Sequence, residues 1–180
     1  MNNDLSAVLF EENVIRMRIR ELGTELSKVY AEKNPVLICV LRGAVVFLTD
    51  LMRHITIPLE IDFMGISSYG ASAQSSGSIT VKNDINIDIK GRHVIIVEDI
   101  VDTGLSLRFL IGHLDILSPA SIATCVLLDK PEAHKIDIHI DYVGFEIGND
   151  FVVGFGLDFN EKYRNLPYVG ILKEEVYIEP

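Results

Sequence analysis

A chain of 180 residues with 48% apolar content is expected to bury one core as a single domain over 1–180, and its apolar runs are too short or too charged to cross a bilayer. A net charge of −10 argues against a nucleic-acid surface, which needs clustered Lys and Arg. Met1 to Ser6 lacks the order of a secretory signal, and Cys39 and Cys125 lie in apolar runs without a disulfide framework, so a reducing cytoplasm is the expected setting.

Ile15, Ile19, Leu22, Leu26 and Val29 recur at helical spacing and predict an amphipathic helix over residues 11–33, with Pro35 ending it. Residues 36–41 form an unbroken apolar run suited to a buried strand. Arg42-Gly43 then turns the chain into a helical pattern over 44–53. Residues 59–66 and 78–85 read as strands. Between them, Ser67 to Gly77 is small and polar, with Tyr69 its only large side chain. Such a segment should be mobile, and on its residues alone it reads as a hairpin connection.

Residues 94–97 are apolar and β-branched, as a strand covered on both faces requires. Glu98 and Asp99 then stand at the expected carboxyl edge, and Asp102-Thr103-Gly104 turns the chain toward a helical run over 105–117. Ligands of open α/β sheets bind outside the carboxyl ends of the strands, and a helix N-terminus offers free amides to phosphate. Capping of the helix by Asp102 or Thr103 explains one acid but not three within five positions, because neighbouring carboxylates repel unless a cation or hydroxyls engage them. The turn is therefore expected to hold a phosphorylated ligand.

Residues 121–128 are another apolar strand, broken by Asp129-Lys130-Pro131. Short strands are expected over 141–146, 151–156 and 168–172. Gly154-Phe155-Gly156 lacks the third glycine and the following helix of a dinucleotide fingerprint, and is assigned to close packing or turns. The five histidines are scattered, and His134 and His139 make a poor zinc signal. No internal repeat or linker stands out.

Val-Glu-Asp-Ile-Val-Asp-Thr-Gly-Leu-Ser, residues 97–106, resembles the phosphoribosyl-pyrophosphate (PRPP) signature of the type I phosphoribosyltransferases, and the flanking segments narrow the resemblance to the hypoxanthine-guanine enzymes of purine salvage. It covers nearly the whole chain. The resemblance implies an α/β fold with a mostly parallel central sheet flanked by helices, a small hood and a flexible lid loop. It also implies transfer of the phosphoribosyl group from PRPP to N9 of a 6-oxopurine, and assembly as a homodimer or homotetramer.

In the roles the resemblance implies, Asp102 is the general base. Glu98, Asp99, Thr103, Gly104, Leu105 and Ser106 complete the PRPP site. Leu41, Arg42 and Gly43 form the pyrophosphate loop, whose Leu41–Arg42 bond can be cis, and Arg164 reaches the pyrophosphate. Ser68 and Tyr69 belong to the lid. Lys130, Phe151, Val152 and Asp158 meet the purine, and Glu98, Asp99 and Asp158 meet Mg²⁺. An acidic protein needs such local help to neutralise a pyrophosphate. Two departures stand out: Ser106 replaces the usual Thr of the signature, and Arg42 replaces the Lys of some relatives.

Other readings remain open on the sequence. Taken alone, Lys130 is a solvated loop charge and Phe151 a core residue. A PRPP-sensing regulator would share the central motif but needs a basic face. A transferase for xanthine or uracil would share the cradle, and a receiver-like domain would share the acids but have no use for Thr-Gly-Leu-Ser.

Overall fold

From residue 36 onward the alternation of strand and helix builds a sheet whose neighbours run the same way, as βαβ connections require. The computed structural model describes residues 1–68 and 79–178. In chain order the elements are β1 (Leu5–Phe10), α1 (Glu12–Val29), β2 (Val36–Leu41), α2 (Val45–Met52), β3 (Glu60–Ser68), β4 (Ile79–Asn83), β5 (His93–Val101), α3 (Leu105–Asp115), β6 (Ser121–Asp129), β7 (Tyr142–Glu146), β8 (Val152–Val153), β9 (Val169–Leu172) and α4 (Glu174–Tyr177). Tyr69 and the rest of the expected lid, 69–78, lie outside the described residues.

The main sheet has the order β4-β3-β2-β5-β6-β7, parallel throughout except for β4 at its edge. Side chains alternate between its faces, so each central strand serves two cores. Leu37, Cys39, Ile95 and Val97 pack beneath α1 and α2, against Ile15, Ile19, Leu22, Leu26 and Phe47. Val36, Ile38, Val94 and Ile96 pack on the other face against Leu107, Leu110 and Leu114 of α3. The doubly apolar runs of β2 and β5 follow from this two-sided burial.

A separate antiparallel sheet, β1-β9-β8, forms the hood and lies beside the carboxyl ends of the main sheet's strands through the short link Ile147 to Phe151. Its β1 is absent from the sequence-based assignment, although Leu-Ser-Ala-Val-Leu-Phe is a passable strand run. Phe10 at its end stacks on Phe145, with ring centroids 4.2 Å apart.

Three boundaries differ from expectation. The first helix ends at Val29, which is 44% exposed rather than buried, and Glu32 and Asn34 take left-handed conformations before Pro35 is reached. The strand expected over 151–156 keeps only Val152–Val153, because positive φ at Gly154, Phe155 and Gly156 folds the chain into a tight turn. β5 runs on to Val101, so Glu98 and Asp99 lie inside the strand, not beyond its end.

Candidate active site

Because Glu98 and Asp99 are successive residues of one strand, the pleat sends them to opposite faces. Glu98 lines a small cleft of about 110 Å³ with Asp102, Thr103, Gly104 and Ser106. Asp99 lines a second cleft of about 270 Å³ with Lys130, Phe151, Val152, Leu157 and Asp158. Ile100 and Asp102 belong to both. Asp102 thus stands where the two spaces adjoin.

The small cleft is built at the start of α3. Gly104 precedes that helix in a left-handed conformation, φ 79°, and no side chain caps the helix end. A Cβ at Gly104 would lie 3.1 Å from Ile138 and 3.2 Å from Ile136, so the residue is confined from behind as well as by its φ. Gly104, not Asp102 or Thr103, is the N-cap residue; Thr103 Oγ1 accepts only a long bond from Leu105 N–H, at 3.4 Å, so the turn stays open to an anion. Ser106 faces this cleft, and Leu105 beside it is 41% exposed.

In the larger cleft Lys130 is only 8% exposed, unlike a solvated loop lysine. Its backbone N–H donates to Val101 O at 2.9 Å, which ties the end of β6 to the end of β5. Next to it, Asp129 Oδ1 lies 2.7 Å from His134 Nε2, anchoring the loop that follows. Phe151 is half-buried, and Val152 at the start of β8 is buried.

The Arg42-Gly43 loop meets these clefts from β2. The Leu41–Arg42 peptide is cis. A Cβ on Gly43 would occupy the position of Asp99 Oδ2, so glycine there lets the carboxylate lie directly against the loop. From the hood, Gly156 (φ 103°) packs against Gly43 O with no room for a side chain. Gly156→Ala is expected to destabilise the fold by more than about 1 kcal/mol in denaturant unfolding, since it adds left-handed strain to a backbone collision.

The two arginines do not stand free. Arg164 Nη2 lies 2.7 Å from Asp158 Oδ1 and 3.3 Å from Glu161 Oε2, and its Nη1 donates to Gly156 O at 2.8 Å. Arg42 Nη2 lies 2.9 Å from Glu161 Oε1. Glu161, which the sequence reading did not single out, bridges both guanidinium groups from a left-handed position, φ 62°. Only its place within Asn-Glu-Lys-Tyr-Arg, beside Arg164, hinted at such a partner.

Burial pushes the Glu98 carboxyl well above the usual range, and the Asp99 charge adds to it. Glu98 Oε2 is enclosed and has no hydrogen-bond partner among the described residues. Asp99 is pushed up to about 6, chiefly by burial, against the opposing Ile100 N–H and Arg164 charge. A carboxyl whose folded pKa is raised favours the fold while protonated; that stability is present below the unfolded value near 3.9 and is lost as pH rises through about 6. Asp99→Asn should therefore match the wild type near pH 4 and become the more stable protein above pH 7, by roughly 1–3 kcal/mol in denaturant unfolding. A gap independent of pH would contradict this.

Among the described residues no three His, Cys, Asp or Glu side chains converge to hold a metal, so Glu98, Asp99 and Asp158 do not form one ready-made cage. Ser68 is the last residue of β3.

Residues 9–160 match the phosphoribosyl transferase domain family. The hypoxanthine-guanine phosphoribosyltransferase of Streptococcus thermophilus is 48% identical over 177 residues, 98% of either chain. The hypoxanthine-guanine-xanthine phosphoribosyltransferase of Tritrichomonas foetus is 49% identical over 178 residues, covering 98% of this chain and 97% of its own. Among solved structures, a hypoxanthine phosphoribosyltransferase from Staphylococcus aureus superposes with a TM-score of 0.95 at 42% identity, over 99% of this chain and 97% of its own. With the sheet order, the hood and the clefts around Asp102 already in place, these likenesses establish that the chain belongs to the hypoxanthine-guanine phosphoribosyltransferases of the phosphoribosyl transferase family.

Proposed function

We propose that the two adjoining clefts hold PRPP and a 6-oxopurine on either side of Asp102, and that the protein transfers the phosphoribosyl group to N9 of hypoxanthine or guanine, releasing pyrophosphate in purine salvage. The observation that carries this assignment is Asp102 itself, shared by a glycine-hinged cradle at the start of α3 and by a cleft holding a buried lysine and an aromatic wall.

In the substitution, a bond forms between N9 and the anomeric carbon as the bond to pyrophosphate breaks. Positive charge grows on the sugar and negative charge on the leaving group, so the site must answer both signs. Glu98 and Asp99 accept hydrogen bonds from the ribose hydroxyls, and Asp99 when ionised adds a negative field. Thr103, Gly104, Leu105 and Ser106 receive the 5′-phosphate, with the exposed start of α3 as its amide cradle. Asp102 takes the proton from N7, Lys130 donates to the exocyclic oxygen, Phe151 stacks on the base and Val152 meets its edge through the backbone. Leu41, Arg42, Gly43 and Arg164 receive the pyrophosphate, while Ser68 and Tyr69 belong to a lid that excludes water.

The enclosed, unpartnered Glu98 Oε2 and the Asp99 and Asp158 carboxylates are hard oxygen donors that suit Mg²⁺. When bound together with PRPP oxygens, Mg²⁺ supplies neutralising charge to the pyrophosphate.

The buried free thiols Cys39 and Cys125 support a cytoplasmic setting, and among the described residues no helix is long and apolar enough to cross a membrane. One folding unit over 1–180 is supported by a core that joins Leu37 and Ile95 of the main sheet to Val152 and Val169 of the hood. A homodimer or homotetramer is supported by Ile61 and Phe63, on one face of β3 and 36% and 37% exposed. Incubation with PRPP, Mg²⁺ and hypoxanthine should yield IMP and pyrophosphate in equal amounts, and a chelator should stop both; pyrophosphate released without IMP would refute the transfer.

A further inference from the structure

Phe151 is the aromatic wall of the larger cleft, yet it precedes a strand of only two residues and is itself half-buried. A phenyl ring in that setting needs a neighbour to fix its plane. Tyr177, from the end of the chain, supplies one: the two rings stack with centroids 4.8 Å apart and planes 22° from parallel. Phe159 meets Phe151 at 88° and 5.6 Å. Both geometries are the favourable ones for aromatic pairs.

The backbone holds Tyr177 to this task. Leu172 N–H donates to Phe151 O at 2.8 Å, so β9 carries the chain past Phe151. Lys173 N–H then donates to Asp4 O at 2.9 Å, and the turn of α4 closes through Val176 N–H to Lys173 O at 3.0 Å and Ile178 N–H to Glu174 O at 2.9 Å. Four residues of helix are too few to be stable alone. Their packing against the hood through Val176 and Tyr177 supplies what the helix lacks.

We propose that Tyr177 is a positioning residue for the purine: its ring backs Phe151 and fixes the plane in which Phe151 meets the base. The inference rests on the reading of Phe151 as the base-stacking wall. Without Tyr177, the Phe151 ring gains rotational freedom that base binding must remove. Asp102 and Lys130 are held by other elements and keep their places. The loss therefore falls on base binding, leaving PRPP binding and turnover intact.

Steady-state kinetics of Tyr177→Leu, Tyr177→Phe and Phe151→Leu test this. Tyr177→Leu should raise KM for hypoxanthine by about 3- to 10-fold, with kcat and KM for PRPP nearly unchanged. Tyr177→Phe should restore the wild-type value, since it keeps the stacked ring. An unchanged hypoxanthine KM in Tyr177→Leu, losses shared by kcat and both KM values, or failure of Tyr177→Phe to restore binding would each overturn the inference. Phe151→Leu separates the two levels. If it leaves hypoxanthine binding intact, the base-wall reading falls; if it weakens binding while Tyr177→Leu does not, only the role of Tyr177 falls.

Discussion

Asp102→Asn is expected to lower kcat by roughly 10²- to 10⁴-fold, the range typical for losing a general base, while PRPP still binds. The substitution keeps the size and shape of the side chain. It removes the capacity to take a proton, because a carboxamide oxygen is a far weaker base than a carboxylate. Asp102 lies between the turn carrying Thr103, Gly104 and Ser106 and the cleft with Lys130, so its atoms border both clefts. The backbone of the turn is set by Gly104 and the packing of Ile136 and Ile138 behind it, none of which the substitution touches. Calorimetric titration with Mg-PRPP should show affinity near that of the wild type, and single-turnover measurement should place the loss in the chemical step. Near wild-type turnover would remove Asp102 from the role of base.

Lys130→Met is expected to lower kcat/KM for hypoxanthine by roughly ten- to a hundredfold, with little change in PRPP affinity. An ammonium donates hydrogen bonds and cannot accept one, so it matches the carbonyl of a 6-oxopurine and opposes the amino group of adenine. Methionine keeps most of the apolar stem and removes the donor. The carbonyl then loses its donor, at a cost of about 1–3 kcal/mol. That Lys130 is 8% exposed makes the cost felt, because water has little access to replace the donor. If the variant weakened PRPP and kept its base preference, Lys130 would be a phosphate contact.

Much of this site could be read from residue order because the fold converts order into position. β5 had to be a buried strand from Val94-Ile95-Ile96-Val97, and α3 had to follow the Gly104 turn, so the cradle followed from local chemistry alone. What stayed hidden was geometry that local pattern does not encode. Glu98 and Asp99 read as a pair at a strand's end, yet the strand continues through them and the pleat separates them into different clefts. Nothing before Asp102 marks where pairing with β6 stops; it stops at Val101 opposite Asp129.

The hood was the least legible part. Its β1 finds a partner 167 residues away, where Leu5 opposes Leu172, and no short-range signal announces such a pairing. Lys130 and Phe151 likewise read as a surface charge and a core ring until the resemblance is considered, because their burial is set by strands distant in sequence. Glu161 is the sharpest case. A lone acid in a polar turn became the bridge between Arg42 and Arg164 only when β2 and the hood met.

The most direct test of the central claim is a product assay with PRPP and Mg²⁺ against hypoxanthine, guanine, xanthine, adenine and uracil in parallel, each nucleotide identified by mass. Lys130 and the aromatic wall predict IMP and GMP from the first two, with adenine and uracil left unreacted; xanthine is the base whose use distinguishes this chain's preference from that named for the Tritrichomonas foetus relative. Products from adenine or uracil alone would contradict the account.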